Sequence, residues 1–196
     1  MLIKHFFCIL QDLTQELYKF LSTKCVNEKT EEAKPKCYIL GIDLDPILIA
    51  RAVEANRYPS AIKYECVDYM SEDINSITMF LSSFQRQIFD VIFCFSVTMW
   101  IHINHGDSGL KNFLKKMSQQ TKMLVIEPQP WRCYRTAVRR MKRSGGEGFN
   151  HFSDLKLREN VTMEIENIIC SECNFVKVKE TESTEWGRKL LFFRRL

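Results

Sequence analysis

What most limits the fold of this chain is the regular alternation of short apolar runs with amphipathic stretches of helical length. YILGID (38–43) is a continuous apolar run closing on an acid, the pattern of a buried strand. Pro46 then opens PILIARAVEANR, with proline at the first helical position, where its missing N–H costs nothing. Ile47, Ile49, Ala50, Val53 and Ala55 give that helix an apolar face. AIKYECVDY (61–69) predicts a strand, and SEDINSITMFLSSFQRQ (71–87) predicts a helix capped by Ser71. FDVIFCFS (89–96) and KMLVIEP (122–128) predict two more strands. Between them SVTMWIHINHGD reads as a loop, followed by an amphipathic helix (106–119) with Leu110, Phe113, Leu114 and Met117 on one side. Helices are expected over 130–143 and 161–173, and the glycine cluster SGGEGFN (144–150) reads as a loop. NFVKVKETE and RKLLFFRRL close the chain as paired strands around a turn near Trp186–Gly187. Ahead of Tyr38, LIKHFFCIL is apolar enough for a first strand, DLTQELYKFL has helical patterning, and NEKTEEAKPK reads as an exposed connection. Strands separated by such helices form βαβ units, so the expected fold is α/β with a mainly parallel sheet and a final antiparallel hairpin.

At 196 residues this is one expected domain, spanning 1–196, large enough to bury a continuous core. Hydrophobic residues at 45% and charged residues at 27% exclude a disordered tail, a collagen and a small disulfide scaffold. No apolar run approaches the ~18 residues of a membrane span. The opening MLIKHFFCIL is short and meets no small-residue cleavage site, so it is not read as a signal peptide. Cys66 and Cys94 lie inside strand-like runs, where a thiol acts as a small hydrophobe, which points to reduced thiols in a cytosolic or nuclear protein, with the cytoplasmic location taken as the expectation. Cys170 and Cys173 form a C-x-x-C pair, but with His151 the nearest further candidate a fourth zinc ligand is lacking, and no metal is expected. Residues 1–100 carry 10 basic and 13 acidic side chains, whereas residues 101–196 carry 18 and 11. The second half is therefore the half suited to an anionic partner.

Ligands of open α/β sheets bind beyond the carboxyl ends of the strands. Those ends hold Asp43 and Asp45, then Asp68 and Tyr69, then Phe95 and Ser96, then Glu127 through Trp131. Asp43 is placed to accept both hydrogen bonds of a ribose diol. A helix cap and a D-x-D metal site are the competing readings, and Asp45 before Pro46 suits the cap better. Asp68–Tyr69 suits an adenine pocket, or a cap beside a packed ring. Trp100, His102, Asn104 and His105 crowd the segment after the third run, more than structural histidines alone require. The 132–143 stretch holds six cations and no acid, with Arg132, Arg135 and Arg139 on one helical face, where guanidiniums can converge on phosphate.

FDVIFCFSVTMWIHINHGDSGLKNFLKKM, followed by VIEPQPWRCYR, resembles the bicoid-interacting-protein-three type of RNA methyltransferases, in particular the cytoplasmic members. Those act on the 5′-monophosphate of histidine transfer RNA and precursor microRNA. The resemblance runs from about Asp12 to the C-terminus. It implies a Rossmann-like class I methyltransferase fold, S-adenosyl-L-methionine as cofactor, and RNA with a 5′-monophosphate end as partner. A monomer acting without a membrane is expected. On this resemblance Asp43 would hold the cofactor ribose, Asp68 and Tyr69 would flank the adenine, and Phe95 would line the cofactor pocket. His102, Asn104, Gln129, Trp131, Arg132, Arg135 and Arg139 would face the RNA end, with His102 and Asn104 as positioning candidates. A 5′-phosphate oxygen is already anionic, so methyl transfer needs no general base and no Ser/His/Asp constellation.

The chain departs from the family where a first strand should end in a turn of the type D-x-G-C-N-x-G-D-L. There it reads Cys8–Ile9–Leu10–Gln11–Asp12–Leu13–Thr14, and the first of its seven glycines is Gly41. Glycine lets backbone approach a cofactor where a β-carbon blocks it. The expectation is a product that starts inside the family's domain, with an intact sheet and an impaired cofactor pocket. Its alternative activity is an RNA 5′-end-binding module without turnover. A nicotinamide-dependent dehydrogenase would need G-x-G-x-x-G after the first strand, which is absent.

Overall fold

The structure, a computed structural model, describes residues 1–6, 11–24 and 37–196. They form seven strands and six helices, in two compact units, Met1–Phe93 and Cys94–Leu196. The stretch Cys8–Leu10, where the family's glycine turn would fall, lies outside the described residues, as does the charged connection 27–36.

In the first unit the strands are β1 (Leu2–Phe6), β2 (Tyr38–Asp43), β3 (Ile62–Cys66) and most of β4 (Phe89–Phe95). Their spatial order is β3-β2-β1-β4. β1 pairs parallel with β2, and β2 parallel with β3, the register ending at Asp43 opposite Cys66. The chain thus walks outward from β1 to β3 and then returns to put β4 on the other side of β1. That reversal is a topological switch point, beside which α/β sheets bind ligands. Helices α1 (Gln11–Lys24) and α2 (Pro46–Glu54) pack on these strands. Gln15 fixes α1 by donating to the Ala55 carbonyl (3.2 Å) and accepting from the Arg57 amide (3.0 Å). The core gathers Ile3, Ile39, Ile49, Ala52, Ile62 and Tyr64.

Helix α3 (Asn75–Ser83) is shorter than the expected 71–87. Ser71 does not cap it, because its hydroxyl donates to the Asp68 (2.8 Å) and Asp73 (3.2 Å) carbonyls in the preceding turn. At the far end Gln85 turns to a positive φ of 55°, which a helix cannot continue through. Cys66 also differs from expectation. It is exposed at the end of β3, and its thiol donates to the Leu44 carbonyl, whereas Cys94 is buried.

In the second unit the order runs from the end of β4 to β5 (Thr121–Glu127), then β7 (Leu191–Arg195), then β6 (Phe175–Glu180). β7 pairs antiparallel with both of its neighbours. Helices α5 (Trp131–Arg143) and α6 (Val161–Glu172) pack against the long α4 (Thr98–Gln119). The four apolar residues expected on one face of α4, Leu110, Phe113, Leu114 and Met117, are all buried. Each contributes on the order of 1.5–3 kcal/mol of burial.

The segment 98–105 is helical, not a loop. α4 consists of two helical pieces joined at Gly106, whose φ of 70° and ψ of −175° break the helix. No side chain caps it locally at Val97. Gln129, thirty residues on, accepts the Met99 amide instead (3.2 Å). Local pattern reading misses a helix whose first amides are satisfied by a distant residue.

Candidate functional site

In the first unit the carboxyl ends of β2 and β3 bring Asp43 and Asp68 into one neighbourhood, since the Val67 amide donates to the Asp43 carbonyl (2.9 Å). The capping role falls to Asp45, whose Oδ1 accepts from the Ile47 (2.8 Å) and Leu48 (3.4 Å) amides. Asp43 accepts the Asp45 amide on Oδ1 (2.9 Å) and a further bond from the Leu44 amide, and it caps no helix. Partial burial pushes the Asp43 carboxyl above its ordinary range, against the pull of nearby amides. Asp68 is exposed and accepts the Met70 amide (2.8 Å) in a tight turn. Tyr69 corrects the sequence reading: at 5% exposure its ring is packed in the core and offers no open face for an adenine.

In the second unit Phe95 ends β4, half-buried. Next comes Ser96, with a left-handed φ of 58°. Its hydroxyl donates to Glu127 Oε2 at the end of β5 (2.5 Å) and accepts from Arg188 Nη1 (2.8 Å). Its carbonyl accepts from Gln129 Nε2 (2.6 Å). Gln129 Oε1 accepts from the Thr98 hydroxyl and the Met99 amide, both at 3.2 Å. The expectation that Gln129 faces RNA is therefore corrected. It is buried, and its amide joins the end of β4 to the start of α4.

His102 is corrected in the same way. It is fully buried on α4, with Nε2 2.7 Å from Asp107 Oδ1 and Nδ1 3.0 Å from the Tyr134 hydroxyl. Burial holds its pKa below the ordinary range, against the raising effect of Asp107, so the ring is neutral at pH 7. An ionised carboxylate can only accept. Nε2–H therefore donates to Asp107, and the Tyr134 hydroxyl donates to Nδ1. Burial in turn pushes the Tyr134 hydroxyl well above its usual range. Asp107 also accepts the Lys156 (2.9 Å) and Leu157 (3.3 Å) amides, tying a distant loop to the same post. Asn104 is exposed, with Nδ2 donating to the Trp100 carbonyl one turn back (2.8 Å).

Trp131 stacks on Tyr134 (centroids 4.9 Å apart) and on Phe152 (5.2 Å, planes 2° apart). Its π-surface is engaged inside the protein rather than offered to a base. The stack and the His102–Tyr134 bond fix the first turn of α5. From that turn Arg132, Arg135 and Arg139 project, all exposed, with Arg140, Lys142 and Arg143 beyond. None of the six pairs with a described acid, so their charge is available to a polyanion. The sequence reading placed Ser96 and Glu127 at the ligand-binding strand ends without a role and did not reach Arg188, since positions 96, 127 and 188 share no motif.

The architecture is that of a Rossmann-like class I methyltransferase. A solved structure of similar fold is the N-methyltransferase NodS from Bradyrhizobium japonicum WM9 in complex with S-adenosyl-l-homocysteine, with a TM-score of 0.61 at 15% identity, covering 100% of this chain and 78% of that one. The family model of Bicoid-interacting protein 3 matches residues 89–195. The chain is 38% identical over 189 residues to the RNA 5′-monophosphate methyltransferase of Rattus norvegicus, covering 95% of this chain and 66% of that protein. It is 36% identical over 193 residues to the pre-miRNA 5′-monophosphate methyltransferase of Danio rerio, covering 96% and 74%. This chain belongs to the Bicoid-interacting protein 3 family. It spans just under two thirds of the rat relative's length.

Proposed function

We propose that this chain methylates the 5′-monophosphate of small RNA, with S-adenosyl-L-methionine as methyl donor. The observation that carries the reading is the acid-free, exposed guanidinium face of α5, which begins four residues past the end of β5. A phosphate there meets cations that no described carboxylate holds. Asp43, a half-buried acid at the carboxyl end of β2 that caps no helix, supports a cofactor ribose at the switch point, with Asp68 beside it. S-adenosyl-L-methionine, when bound, supplies an electrophilic methyl group. What the chain's own residues contribute is position: Arg132, Arg135 and Arg139 hold the RNA end and compensate its charge, and the His102–Tyr134–Trp131 post keeps them aimed. No proton need move, because the accepting oxygen is already ionised.

Histidine transfer RNA and precursor microRNA are the substrates this reading assigns, the latter supported by the name of the zebrafish relative. A monomer in the cytoplasm is part of the same reading, the compartment supported by the free thiols of Cys66, Cys133 and Cys170. No described helix is long and apolar enough to cross a membrane. The test is transfer of a labelled methyl group to matched RNAs carrying a 5′-monophosphate or a 5′-hydroxyl. Label should enter only the phosphorylated RNA, and replacing Arg132 and Arg135 with alanine should raise its KM by about tenfold. Label in both RNAs alike would overturn the assignment.

A second reading keeps RNA binding and drops turnover. It is favoured by the absence of glycine from residues 1–40, where the family carries its cofactor turn. Calorimetric titration with S-adenosylhomocysteine separates the two. Heat with saturation supports the enzyme, and none at millimolar ligand supports the binding module.

A further inference from the structure

Arg188 stands just before β7, after a turn in which Gly187 takes a φ of 61°. The turn is closed by the Thr184 amide donating to the Arg188 carbonyl (2.9 Å) and the Arg188 amide donating to the Thr184 hydroxyl (3.2 Å). This aims the side chain at the carboxyl ends of β4 and β5, where Nη1 donates to the Ser96 hydroxyl (2.8 Å). The same nitrogen lies 3.7 Å from Glu127 Oε2. Nε is buried without a hydrogen-bond partner, and Nη2 has none among the described residues. About a third of the side chain reaches solvent.

A guanidinium whose only task was to neutralise Glu127 would meet it in a two-point fork at normal hydrogen-bond length. Here the Ser96 hydroxyl takes the short bond to Glu127 and stands between the charges. Ser96 is held in a left-handed backbone conformation that a serine adopts only at a cost. Its hydroxyl, carbonyl and amide are all bonded, the amide to the Glu127 carbonyl (3.4 Å). The result is a guanidinium fixed by one corner, with its Nε–Nη2 edge uncommitted. A buried donor left unpaired costs about 1–3 kcal/mol, which an incoming oxyanion recovers.

We propose that Arg188, fixed at one corner by Ser96 and Glu127, orients the terminal phosphate of the RNA through its Nε–Nη2 edge. This rests on the methyltransferase reading above and adds the residue that sets the phosphate's orientation. Two non-bridging oxygens occupy the fork, and the third stays uncoordinated and nucleophilic. Arg188 makes and breaks no bond, and is a positioning residue. The cations of α5 attract the RNA at large, whereas Arg188 reads whether its end carries a phosphate.

The test compares binding of a labelled RNA with a 5′-monophosphate and the same RNA with a 5′-hydroxyl, for the full chain and for Arg188→Gln and Arg188→Lys. Arg188→Gln should erase the preference for the phosphorylated end, at least tenfold in Kd, and shift 5′-hydroxyl affinity less than twofold. Arg188→Lys keeps a charge beside Glu127 but has no fork, and should keep the melting temperature while losing most of the preference. This second variant decides the matter if the glutamine variant does not fold. An undiminished preference in Arg188→Lys, or equal losses for both RNAs, would overturn the inference while leaving the α5 reading standing. A parent chain that binds both RNAs equally would sink the phosphate reading itself, and this inference with it.

Discussion

A carboxylate's role is decided by which groups it already holds. Asp43 and Asp45 are two residues apart, yet Asp45 caps α2, whereas Asp43 takes the amides of its own turn and caps no helix. Asp43→Asn retains an acceptor for the Asp45 amide but loses the charge and one strong acceptor. A charge-assisted hydrogen bond contributes about 1.5–3 kcal/mol. The expected outcome is an S-adenosylhomocysteine affinity lower by tenfold or more, with a melting temperature within about 2 °C, since asparagine keeps the acceptor for the Asp45 amide and removes a partly buried charge. Calorimetry and a thermal melt check both. A lower melting temperature with unaltered affinity would make Asp43 a structural acid. The sequence showed that acids follow β2 and β3. It did not show that Tyr69, Gln129 and His102 are spent inside the protein, because burial depends on neighbours far along the chain.

Among the elements, α4 departs furthest from its expected form. The pattern of Leu110, Phe113, Leu114 and Met117 was legible because a helix that buries one face must repeat that way. The preceding helical piece was not, because its start lacks a local cap and its break falls at a glycine within a polar stretch. Gly106 occupies a backbone region nearly closed to other residues. A β-carbon there would meet only the His151 ring at ordinary contact distance, 3.5 Å. The cost of Gly106→Ala is therefore conformational, about 1–3 kcal/mol. Denaturant unfolding should show that loss. A neutral substitution would mean that the two pieces of α4 can join into one continuous helix. In α5, by contrast, the exposed cation run was readable directly, since a helix that mixes no acids among six cations has no internal use for them.

At the scale of the whole molecule, acid should unfold this protein in two stages. His102 is held below its usual pKa by burial, and Asp107 below its own because bonds from His102 and the Lys156 and Leu157 amides outweigh burial's raising effect. Both groups bind a proton more readily once unfolded. Stability is therefore complete above about pH 6.5, falls as pH drops past the unfolded imidazole value, and falls again as Asp107 protonates below about pH 4. The melting temperature should decline between pH 6.5 and 5, and His102→Gln should flatten that first decline. A parent profile level from pH 7 to 5 would contradict the neutral, buried His102.

What the amino-acid order determined unaided was the α/β class, the parallel strands with a closing hairpin, and a basic helix after β5. All of these follow from periodicity and local charge, which neighbours in sequence carry. Only the tertiary structure decided which polar groups remain free. The Ser96–Arg188 bond spans 92 positions and the Ser96–Glu127 bond 31. Hydrogen-bond capacity and solvent access belong to the packed environment, and no local pattern encodes a cluster assembled from the ends of separate strands.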